Sequence, residues 1–104
     1  MASTKVNQLQ LIQQNVQNLS QQKQQLQNQL IELDSALTEL QTTDKAYRII
    51  GKIMLAAPQD ELSKELIDKK EMTEVRLKNV EKQEEKLNSK VEELQREVMK
   101  ELQP

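Results

Sequence analysis

From Leu9 to Leu40 the apolar residues of this chain step strictly by three and four: Leu9, Ile12, Val16, Leu19, Leu26, Leu30, Leu33, Leu37 and Leu40. Only Lys23 interrupts the series. Such spacing keeps one narrow apolar seam on a helix and specifies a coiled-coil partner, with a positions at 9, 16, 23, 30 and 37 and d positions at 12, 19, 26, 33 and 40. A second seam returns later in the chain through Leu77, Val80, Leu87, Val91, Leu94 and Val98, with Glu84 at one seam position. Two seams of similar length predict two long helices, over 5–41 and 58–102, folded back as an antiparallel pair. The fold class expected is therefore mainly α, an antiparallel two-helix coiled coil. Ser3 or Thr4 is the expected N-cap of the first helix. Pro58 fits the first helical position of the second, and Asp60 and Glu61 suit its positive first turn.

Between the helices lies a stretch of a different kind, residues 45–57. It holds the only Tyr and the only Gly of the chain. Thr42, Thr43 and Asp44 precede it and favour local hydrogen bonds over helix. Tyr47 to Ile50 and Ile53 to Leu55 flank Gly51 and Lys52, and Ile49, Ile50 and Ile53 are β-branched. Gly at the first central position of a two-residue loop suits a type II′ turn, which needs φ > 0 there. The stretch reads as a β-hairpin with strands at 46–50 and 53–57. A lone two-stranded hairpin is marginal in water, so Tyr47, Ile49, Ile50, Gly51, Ile53, Met54 and Leu55 are expected to form an oligomerisation element.

Composition narrows the functional classes. The chain has 104 residues and fits one domain; with 1% aromatic residues it has no bulk for a wide globular core, which favours a narrow seam. There is no His and no Cys, which removes the commonest general base, the thiol nucleophile and the usual zinc ligands. The acids of the second helix are interleaved with Lys and Arg and read as a solvated face; Glu65–Lys69, Glu74–Lys78 and Glu92–Arg96 have favourable i,i+4 spacing. No glycine-rich phosphate loop is present. The reading is a binding or assembly protein, with no catalytic role and no cofactor or metal. A net charge of −2 gives no basic patch for nucleic acid. No run of eighteen apolar residues spans a membrane, and the start Met-Ala-Ser-Thr-Lys lacks an apolar leader. The expected setting is the cytoplasm.

Near the hairpin the second seam loosens, with Leu62, Leu66, Ile67 and Met72 spread over a wider face, as though this base meets more than one partner. Layering Leu30 with Val80 sets Lys23 and Glu84 one layer apart, close enough to meet. An ion pair there would fix register at some expense of stability; the alternative is that both snorkel outward. At the far ends, Val6, Leu9, Leu11 and Ile12 of the first helix lie with Leu94, Val98, Met99 and Leu102 of the second. Leu11 and Met99 are off the strict seam, and helix ends fray easily. These eight residues form an apolar surface where the helix ends meet; the bland reading is that they only close the coiled coil.

A heptad helix, one hairpin carrying Tyr47-Arg48-Ile49-Ile50-Gly51 and Ile53-Met54-Leu55, and a returning heptad helix together resemble a β-type subunit of prefoldin. The α-type subunits of that family carry two hairpins, and this chain has room for one. The resemblance covers nearly all of residues 1–104 as a single prefoldin-like domain. It implies that the hairpin joins an intersubunit β-barrel in a hexamer of α-type partners and further β-type copies. It also implies a chaperone that works without ATP, holding unfolded client proteins at the coiled-coil tips and passing them to a group II chaperonin. A passive coiled-coil scaffold or tether is the competing reading.

Overall fold

A computed structural model describes residues 2–103, with side chains from residue 4. Helix α1 covers Ala2–Leu40, strand β1 Ala46–Ile50, strand β2 Ile53–Ala57 and helix α2 Gln59–Leu102. The chain is mainly helical, with one hairpin between two long helices. Its residues gather into two compact units. The hairpin unit is residues 26–76, and the terminal unit joins the chain up to Gln25 with the chain from Leu77 onward.

Each unit pairs a piece of α1 with a piece of α2 in antiparallel sense. In the terminal unit Lys5 bridges Glu97 and Glu101, and Lys23 bridges Glu84. In the hairpin unit Asp34 bridges Lys70, and the Gln59 side-chain amide donates to the Leu40 carbonyl. That last bond satisfies one of the carbonyls left open at the end of α1. Apart from Val6, the residues of α1 withdrawn from solvent are those at heptad positions, and their neighbours are exposed. Val80 and Leu94 are buried in the terminal unit, Leu40 and Thr73 in the hairpin unit. No side chain is fully enclosed among the described residues, which fits a seam two helices wide.

The ends of the elements follow local chemistry. Helix α1 stops at Leu40, and the Thr42 N–H and hydroxyl both donate to the Glu39 carbonyl. Thr43 Oγ1 donates to the Lys45 carbonyl and accepts from the Lys45 N–H. These are the local bonds by which Thr and Asp compete with helix. Helix α1 begins at Ala2, earlier than its expected start at residue 5, so Thr4 lies inside the helix and does not cap it. The Ser3 side chain lies outside the described part. Pro58 stands one residue before α2 rather than at its first position, and its carbonyl accepts from the Leu62 N–H. This is the cap position, where a missing N–H also costs nothing.

The hairpin register pairs Ala46 with Ala57, Tyr47 with Ala56, Arg48 with Leu55, Ile49 with Met54 and Ile50 with Ile53. The loop is therefore Gly51-Lys52. Gly51 has φ of +59°, and no other described residue has positive φ. Positive φ at the first central residue alone distinguishes type II′ from type I′.

Two expectations shift in α2. The loosened seam near the hairpin closes through Leu66 and the polar Lys70 and Thr73, while Ile67 and Met72 of the wider face stay exposed: Thr73 is 7% exposed and Met72 56%. Thr73 tolerates burial because its hydroxyl donates to the Lys69 carbonyl one turn back, at 2.7 Å. The Glu65 carboxylate is taken by Arg48 of β1, not by Lys69.

Candidate functional site

The hairpin is built to be covered. Residues paired across an antiparallel ladder share a face. One face carries Tyr47, Ile49, Met54 and Ala56, all exposed. The other carries Ala46, Arg48, Ile50, Ile53, Leu55 and Ala57. On this face Arg48 turns back to Glu65 of α2, while Ile50, Ile53 and Leu55 stay in solvent. Arg48 Nε is buried without a hydrogen-bond partner, and the ion pair to Glu65 is made by the outer Nη2 of the guanidinium. Six large apolar side chains are thus exposed in ten strand residues, with Ile49 reaching 68% exposure. Each strand also has one edge with no described partner. Exposed apolar faces together with open edges are a template for adding another chain. All seven residues assigned to assembly from the sequence lie on this hairpin, six of them as exposed side chains and Gly51 at the turn.

The helix ends form the second site. Lys5 Nζ lies 2.6 Å from Glu101 and 3.4 Å from Glu97, one turn apart on α2. The hydrogen bond to Glu101 raises the Lys5 pKa above the usual lysine value, and the same bond lowers that of Glu101. Around this latch, Leu11, Met99 and Leu102 are exposed. Val6, Leu9, Ile12 and Val98 are half-buried along the seam. Leu94 differs: at 5% exposure it belongs to the seam itself and is unavailable to another chain while the helices are paired. Lys5 holds the seam position one heptad before Ile12, and its polarity conceals the latch in the sequence.

Further along the terminal unit, Lys23 Nζ is 3.3 Å from Glu84 Oε1. The register therefore sets these two directly against each other rather than one layer apart. Both side chains keep partial access to water, so the pair sits at the flank of the seam and not in a dry core. Among the described residues no cluster of His, Cys, Asp or Glu could hold a metal ion, and no helix is long and apolar enough to cross a membrane.

Comparison with known proteins accords with this arrangement. The family model described as prefoldin subunit matches residues 3–104. The chain belongs to the prefoldin family, as a β-type subunit. It is 36% identical to the prefoldin subunit beta of Archaeoglobus fulgidus, over 95% of this chain and 88% of that protein. Identity to the prefoldin subunit beta of Thermococcus kodakarensis is 38%, over 95% of this chain and 87% of that one. The crystal structure of the prefoldin beta subunit from Thermococcus strain KS-1 superposes with a TM-score of 0.92 at 35% identity, covering 99% of this chain and 93% of that one. Membership implies a chaperone-associated role and hetero-oligomeric assembly with other prefoldin subunits.

Proposed function

We propose that this chain, read over residues 1–104 as one prefoldin-type domain, is a subunit of an ATP-independent holding chaperone of the cytoplasm. Its hairpin joins those of α-type partners and further β-type copies in a hexamer with a shared β-barrel. The paired helix ends hold unfolded clients and pass them to a group II chaperonin. The observation that carries the reading is the hairpin, apolar on both faces and open at both edges, in a chain of the prefoldin family. A passive tether gains nothing from strands that need partners.

Client contact begins at Leu11, Met99 and Leu102, which face solvent with the helices closed. Val6, Leu9, Ile12 and Val98 follow as the ends splay, and Leu94 is reached only in a fully opened end. Leucine and methionine suit this task, because flexible apolar side chains adapt to sequences of many kinds. No glycine-rich phosphate loop serves a nucleotide, so holding and release rest on binding alone. The test is deletion of residues 1–10 and 96–104. Suppression of aggregation of a denatured client should be lost, while the mass of the complex with an α-type subunit falls only by the deleted residues. A truncated complex that protects clients as well as the intact one would move the binding site elsewhere.

A further inference from the structure

Three large apolar side chains of the hairpin unit remain exposed on α2: Ile67, Met72 and Val75. The coiled coil does not use them. At 3.6 residues per turn they fall within about 140° of arc, centred nearly opposite the line of Leu66, Lys70 and Thr73 that faces α1. Their distribution along the helix is uneven. From Arg76 to Glu97 no large apolar side chain of α2 is exposed. The outward apolar residues are thus confined to the turns that follow the hairpin, apart from Met99 and Leu102 at the far end.

This face is continuous with the hairpin. Arg48 of β1 crosses to Glu65 on α2, and Met72 lies seven residues on from Glu65, two turns along the same side of the helix. Lys64, Asp68 and Glu71 fall within the same arc, interleaved with the apolar residues, and are exposed. Apolar side chains set among charges of both signs match the make-up of a non-obligate subunit interface, which is about as apolar as the rest of a protein surface.

We propose that the outer face of α2 around Ile67, Met72 and Val75 extends the assembly surface of the hairpin and packs against the base of a neighbouring prefoldin subunit. The inference rests on the reading of the hairpin as the assembly element. A subunit is favoured as occupant over a client because the patch abuts the hairpin and ends within five turns of it. A partner bound at the hairpin is thereby brought against α2. The arrangement would set the angle between neighbouring subunits, which strands alone leave free.

The chain has no Cys, so a single thiol is a unique reporter. Val75→Cys and, separately, Ile49→Cys are labelled with a water-soluble thiol reagent in the complex with an α-type subunit. The same thiols are labelled in chains that also carry Ile50→Lys and Ile53→Lys, as the unassembled reference. A Lys86→Cys chain serves as the exposed control. The proposal expects labelling at 75 to slow at least tenfold on assembly while labelling at 86 is unchanged. Unchanged labelling at 75 beside protection at 49 overturns this inference and leaves the hairpin reading intact. Unchanged labelling at both positions overturns the two together. Protection at 75 that appears only on adding a denatured client assigns the face to clients and also overturns it.

Discussion

Replacing Gly51 isolates one backbone angle. Its φ of +59° lies in the left-handed region, and a Cβ built there meets nothing within 4 Å. The steric contribution from neighbours is therefore nil, and the conformational cost stands alone. That cost is roughly 1–2 kcal/mol for an L-residue, and a β-branched side chain is worse placed than Asn, which tolerates the region. Gly51→Val should weaken assembly with an α-type subunit by roughly 5- to 30-fold, Gly51→Asn by less, with the helical circular dichroism of the isolated chain unchanged. A chemically prepared Gly51→D-Ala chain reverses the sign: D-residues favour positive φ, and a narrower unfolded ensemble adds about 0.4–1 kcal/mol. The assay is a titration of assembly followed by native mass or light scattering, with thermal unfolding alongside. Equal assembly by the Gly, Val and Asn chains, or damage by D-Ala equal to that by Val, would refute the II′ turn as the hairpin's organising element.

Other perturbations reach other parts of the account. A double-mutant cycle with Lys23→Met and Glu84→Met should give a coupling of about 0.5–1 kcal/mol, since both side chains are partly solvated; zero coupling would make the pair incidental. Acid should loosen the terminal unit. Glu101 has its pKa lowered from 4.5 in the folded chain, so the stability it lends is present above that value and lost as pH falls through the folded one. Lys5 has its pKa raised above 10.5, so its share is present below that value and lost as pH rises through the folded one. Protection from hydrogen exchange at residues 4–12 and 94–102, taken relative to the intrinsic rate at each pH, should therefore fall below pH 4.5, and Lys5→Met should lower it already at neutral pH. Exchange there that is indifferent to Lys5→Met would remove the latch.

Much of this structure is legible in the sequence because two simple periods dominate it. The heptad steps from Leu9 to Leu40 place nearly every inward residue of α1. One Gly between β-branched runs gives the hairpin its turn and, through the turn, its register. What escaped reading has physical causes. The seam near the hairpin is hidden because stepping back by sevens from Val80 and Leu77 reaches the polar Thr73 and Lys70, while the apolar Ile67 and Met72 lie off it. Period outweighs polarity where a hydroxyl can bond its own helix, as Thr73 does. The antiparallel register was off by one layer because equal heptads leave several alignments nearly equivalent. The alignment adopted is the one that joins Lys23 with Glu84 and Lys5 with Glu101. The residues read as an assembly element stand on the hairpin as exposed apolar side chains, because a short turn-bearing stretch has no second layer of its own to cover them. Leu94 belongs both to the seam and to the expected client surface, and its burial leaves it to the seam while the helices are paired.

The central claim is that the hairpin carries assembly. Its most direct test is the native mass of the complex formed with an α-type prefoldin subunit, measured for the natural chain and for one bearing Ile50→Lys and Ile53→Lys. The account predicts a six-subunit mass for the natural chain. For the double variant it predicts free subunits only, with the helical content of the isolated chain retained. A double variant that assembles to the same mass would contradict it.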